Sequence, residues 1–200
     1  MDGLIYKVIR SRRRTIQIIV KDCNVVVRAP LRCDDSRIEK FVAEKAGCIE
    51  ACVNSQKGFM ERVSAFVKSN ELPLFGERVM LDATLNPLVV KNFYLKQFDK
   101  LKRVFDQVSK RCGLSGGGPY SSNAKTLWGT CDSRNVIRLN MRLSALPLSL
   151  VEYVIVHELV HTVHHNHSKV FWLTVGRIMP DYAKRRKELK RYSWVLEMYR

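Results

Sequence analysis

The chain has 200 residues, 46% apolar and 27% charged, a balance that excludes wholesale disorder and suits one domain, or one domain with a small appended layer. No apolar run approaches the ~20 residues of a membrane span, and the opening Met1-Asp2-Gly3-Leu4-Ile5-Tyr6-Lys7 lacks the layout of a secretory signal, so a cytoplasmic protein with no membrane partner is expected. The net charge is +16, of which residues 1–30 and 168–200 carry +11; a field of that sign attracts polyanions, which makes nucleic acid or nucleotides candidate partners through basic surfaces.

In chain order, Arg14 to Val20 alternates Ile16, Ile18 and Val20 on one face. Lys21 to Asn24 supplies turn chemistry before Val25 to Arg28 returns, which predicts a β-hairpin ending at Pro30. Asp35-Ser36 with Glu39 predicts a capping box, followed by a helix whose stripe runs through Ile38, Phe41, Val42, Lys45, Ile49, Cys52 and Val53. Cys48 and Cys52 fall four apart on that helix, where small buried thiols are common. With no Cys-x-x-Cys pair, all six cysteines are expected to be free. A loop around Pro73 precedes two short strand candidates, 77–81 and 88–90, and Phe93 to Cys112 reads as one helix with a basic outer face. Ser115 to Pro119 is the strongest break, readable as a domain linker or as a glycine-rich loop between helix and sheet; the expected division is 1–115 and 116–200, which can also pack as one domain. A second hairpin pairs 126–131 with 136–140. Helices follow over 149–164 and 168–178, and a last one after Pro180 carries Lys184, Arg185, Arg186 and Lys187.

All five histidines lie between His157 and His167. Within the helix, His157-Glu158-Leu159-Val160-His161 puts two imidazoles one turn apart on one face, within reach of one ion. Glu158 projects beside them, where it can take a proton from an activated water. A catalytic zinc wants a third protein ligand. With a left-handed helix stop expected at Asn166 and a helix cap at Ser168, His167 folds back toward the pair; Glu188 on the last helix is the competing candidate. His164 and His165 read as surface groups, and Asp181 as a cap or as an acceptor for a ligand imidazole.

Trp128-Gly129-Thr130-Cys131-Asp132-Ser133, Ile137-Arg138-Leu139-Asn140, Tyr153 to His161, Asn166-His167-Ser168 and Phe171-Trp172 together resemble the YgjP-like metal-dependent hydrolases, relatives of the SprT-like and WLM zinc metallopeptidases. Arg12-Arg13-Arg14-Thr15, Val27-Arg28-Ala29-Pro30 and Pro180-Asp181-Tyr182 fit the same family. The resemblance implies an α+β fold with a zincin-like catalytic core. It places the metal ligands on His157, His161 and His167 and the catalytic acid/base on Glu158. The chain departs from the family at Leu127, where members carry arginine, and at Thr130, where they carry serine. Lys125 is the nearby substitute for that arginine.

The reading is therefore a zinc-dependent hydrolase with one Zn2+ and a glutamate base, acting on a peptide or protein. Lys125, Trp128 and Asn140 are candidate substrate contacts, and Phe171 and Trp172 are expected to pin the returning segment. Two rivals stand beside it. One is hydrolysis of nucleotide phosphoanhydrides, which the charge favours. The other is a nucleic-acid-associated protein with structural zinc, which would have no need of Glu158 as a base.

Overall fold

The computed structural model describes residues 4–21 and 23–197, and they form two compact units, 1–65 and 66–200. In the first, strands β1 (Lys7–Ser11), β2 (Gln17–Lys21) and β3 (Asn24–Pro30) make a sheet in the order β1-β3-β2. The hairpin read from the sequence is the antiparallel β2–β3 pair, turning through Cys23 at positive φ. β1 adds in parallel on the other side of β3. Sequence reading missed it because every residue of this strand is exposed, which leaves no buried face to alternate.

Alternation in β3 hides Val25, Val27 and Ala29 against Ile38 and Val42 of α1 (Asp35–Glu44) and Ile49 of α2 (Ala46–Ser69). The capping box does not form: Asp34 is the N-cap, and its side chain makes no capping bond. Cys48 and Cys52 are exposed, contrary to expectation, although all six thiols are free. Ile49 takes the buried line of the helix and turns both cysteines away from it.

The second unit takes in the last residues of α2 and then the hairpin β4 (Glu71–Leu74) and β5 (Glu77–Met80). Residues 88–90 are not a strand. Asn86 accepts hydrogen bonds from the Leu88 and Val89 N–H groups, and Pro87 opens α3 (Pro87–Lys96). A cap with proline at the first helical position outweighs the β-branched run. Phe93 to Cys112 is divided at Gln97, and α4 (Phe98–Cys112) buries Leu101, Phe105 and Val108 while its basic residues face out.

The glycine run lies inside this second unit as a loop between α4 and the sheet, the second of its two readings, and opens β6 (Gly117–Ser122). A Cβ on Gly116 would sit 2.8 Å from the Asn135 carbonyl oxygen. Small residues there admit a close backbone approach. β6 runs parallel to β8 (Val136–Asn140), and β7 (Gly129–Cys131) pairs antiparallel on the other side, giving the order β6-β8-β7. Asp132 shapes the β7–β8 turn by accepting from the Arg134 and Val136 N–H groups.

A 3-10 turn (Met141–Ala145) leads into α5 (Leu148–His161), which is buried on nearly every side, as its composition demands of a central helix. α6 (Lys169–Ile178), α7 (Tyr182–Leu189) and α8 (Ser193–Glu197) complete an α+β fold. Among the described residues no helix is long and apolar enough to cross a membrane.

Candidate metal centre

α5 supplies Tyr153, His157, Glu158 and His161 from successive turns. The helix stops at His161, one turn earlier than the spacing predicts. The Thr162 hydroxyl donates to the Leu159 carbonyl at 2.7 Å, and the His164 N–H donates to Val160 at 2.9 Å. Asn166 does not adopt the left-handed conformation expected of it. Its side-chain oxygen accepts from the Ser168 N–H, and Ser168 caps α6 by accepting from Phe171. The chain thereby reverses within a few residues, and His167 returns to the helix.

His167 Nε2 lies 3.0 Å from His157 Nε2 and 3.3 Å from His161 Nε2. Nitrogens held about 2.0–2.1 Å from a tetrahedral ion stand about 3.3 Å apart, so the residues present fit a divalent metal. The tautomer of His161 agrees. Its Nδ1 is 3.0 Å from the His164 carbonyl; a carbonyl only accepts, so the proton sits on Nδ1 and the lone pair on Nε2 faces the cluster. The buried Nδ1 of His157 has no partner among the described residues. Glu188, the competing third ligand, lies outside this group.

Phe171 is fully buried and packs against all three imidazoles, with ring centroids 4.5–4.9 Å away. Trp172 stacks on His167 at 5.5 Å and on Tyr182 at 5.6 Å. These two aromatic residues pin the returning segment, as expected of them. Burial, reinforced by the neighbouring imidazoles and Arg186, lowers His157 to about 3, so it is neutral and ready to donate a lone pair. Burial also lowers His161. Glu158 is 6% exposed, and desolvation raises its carboxyl to about 7, in the range suited to a proton carrier at neutral pH.

Gly129 on β7 faces that carboxyl. A Cβ there would lie 2.7 Å from Glu158 Cγ and 2.9 Å from Oε1, so only glycine lets the strand pass. A cavity of about 580 Å3 opens over the site, with Trp128, His157, Glu158, His165, Arg186 and Lys190 among its walls. Trp128 therefore reaches the cavity, whereas Lys125 is not part of its lining.

Asn140 is not part of the cavity lining either. It is fully buried, donates to the Ala124 and Leu127 carbonyls at 2.7 and 2.9 Å, and accepts from the Arg142 N–H. Both amide protons hold the segment before β7, and the side-chain oxygen caps the 3-10 turn that follows β8.

Sequence reasoning singled out neither Gly129 nor Arg186 for the site. The Trp-Gly pair was the available signal for the first. Nothing local distinguished Arg186 from its neighbours, yet the structure separates them. Arg185 bonds Asp181 at 2.8 Å and the Ser149 carbonyl at 2.7 Å. Arg186 lies 4.6 Å over the Trp172 ring and faces the cavity. Asp181 thus serves an ion pair and makes no side-chain helix cap.

A family model described as YgjP-like, metallopeptidase domain, matches residues 87–192, more than half of the chain and the whole of the histidine cluster. The chain belongs to the YgjP-like family. A search of curated proteins returned no match, and neither did a search of solved structures. The YgjP-like description is that of a metal-dependent peptidase, and the three clustered imidazoles are the residues that could hold its divalent metal.

Proposed function

We propose that this protein is a zinc-dependent peptidase in which His157, His161 and His167 hold one ion and Glu158 is the general base. The observation carrying this reading is the convergence of three Nε2 atoms at 3.0 and 3.3 Å beside a buried carboxyl. Bound there, the ion supplies Lewis-acid polarisation of a carbonyl and of the attacking water. Glu158 takes the water proton on a carboxylate oxygen and returns it to the leaving amine nitrogen. β7 is an edge strand, and its residues line the cavity beside Glu158; its free side suits main-chain pairing with an extended peptide. Arg186 offers positive charge to the oxygen that becomes negative as the carbonyl is attacked.

A second reading rests on Arg186 and Lys190, two cations in one cavity, which also suit the phosphates of a nucleotide. The test is a metal-loaded screen of casein-like peptides and nucleoside triphosphates, run beside Glu158→Gln. Peptide cleavage that falls at least about a hundredfold in the variant supports the proposal. Equal turnover in both proteins removes the base, and turnover of triphosphates alone replaces the substrate.

A further inference from the structure

Outside the matched region, the first unit gathers cations from three separate segments. The β1–β2 turn carries Arg12, Arg13 and Arg14, the segment after β3 carries Arg32, and α1 carries Arg37 and Lys40. They line two adjoining hollows of about 710 and 440 Å3, which share Arg14, Pro30 and Arg32. Among the described residues, Glu44 is the one acidic side chain lining either hollow.

The arginine just before this group has a different task. Arg10 bonds the Asp35 carboxylate at 2.6 Å and also donates to the Pro30 and Cys33 carbonyls. It fastens β1 to the start of α1 and so fixes the walls. Arg13 is held by Gln17 at 3.2 Å. The side chains of Arg12, Arg14, Arg32, Arg37 and Lys40 make no ion pair or hydrogen bond among the described residues. Like charges held around a concavity repel one another, and an anion seated between them relieves that repulsion.

We propose that this hollow binds the phosphodiester backbone of nucleic acid. Five of the six cations are arginines, whose planar forks match pairs of phosphate oxygens. A strand of linked phosphates can follow two joined hollows, whereas the flat face of an acidic bilayer meets only their rim. The two hollows share no lining residue with the histidine cluster, and the proposal does not depend on the hydrolase reading.

The test uses the full zinc-loaded chain, with fluorescence anisotropy of a labelled single-stranded RNA and a labelled DNA duplex over a range of salt. Wild type should bind at least one of them, with log affinity falling linearly against log salt. Arg14→Gln/Arg32→Gln/Arg37→Gln should weaken binding at least about tenfold and flatten the slope by about 2–3, one step per lost phosphate contact. Lys100→Gln/Lys102→Gln/Arg103→Gln on the exposed face of α4 removes the same charge and should leave the slope nearly unchanged. If the first triple variant does not fold, as read by circular dichroism, Arg37→Gln alone should flatten the slope by about 1.

No binding at low salt, or equal losses in the two triple variants, would overturn the proposal. So would tighter binding to phosphatidylserine vesicles than to either nucleic acid, lost in the first triple variant; that result would assign the hollow to lipid headgroups. Tripolyphosphate competing as tightly as the oligonucleotides would overturn it in favour of a small-molecule site.

Discussion

Replacing Glu158 with glutamine in the metal-free protein isolates the cost of the buried carboxyl. Its pKa is raised from 4.5 to about 7 by desolvation, so the folded chain holds its proton over a range where the unfolded chain has released it. The unfolded state then binds fewer protons, and stability falls as pH rises. The contribution is fully present below about pH 4.5, is lost progressively up to about pH 7, and is flat above that. At 1.36 kcal/mol per pKa unit, the whole change is ~3 kcal/mol. Glutamine has nearly the same volume and does not titrate, so its stability lacks this component. Urea melts followed by circular dichroism in chelator, from pH 4 to pH 8, should show the variant gaining ~3 kcal/mol on wild type across that interval. Zinc should shrink the gain, because a neighbouring cation favours the ionised carboxylate. A difference between the two proteins that stays constant with pH would show that the carboxyl is not desolvated, and the assignment of a base tuned by burial would fall with it.

Three further outcomes follow from the geometry. His167→Ala should lower zinc affinity by orders of magnitude in chelator competition, as His157→Ala and His161→Ala should, while His165→Ala and Glu188→Ala stay near wild type; full zinc stoichiometry in His167→Ala would remove it from the ligand set. Gly129→Ala, whose Cβ would meet Glu158 Cγ at 2.7 Å, should cost about 1–3 kcal/mol in a thermal melt and depress turnover with metal content unchanged. Asn140→Ala strips three buried hydrogen bonds and should destabilise by roughly 2–4 kcal/mol in urea; a loss of substrate affinity at unchanged stability would return Asn140 to the cleft.

The sequence alone determined whatever depends on residues close together in the chain. Spacing of four residues puts His157 and His161 on one face of a helix, and the following polar run lets His167 turn back. The alternation of Ile18 and Val20 against Val25 and Val27 forms the first hairpin. Local cues also failed where two of them competed. The strand-like run after Pro87 became a helix because Asn86 satisfies its first N–H groups, and the helix bearing the histidines ended early, at His161, with the Thr162 hydroxyl and the His164 N–H satisfying carbonyls of its last turn. The tertiary structure decided which members of similar sets do different work. Arg185 is tied to Asp181 while Arg186 faces the cavity. Asn140 holds backbone carbonyls, and Gly129 is required by the carboxyl pressed against it. Arg14 and Arg32 stand where two hollows adjoin, with Arg37 and Lys40 lining one and Arg12 the other. Such groupings join residues from separate strands, turns and helices, and no periodicity within a single segment encodes which distant side chain will stand beside it.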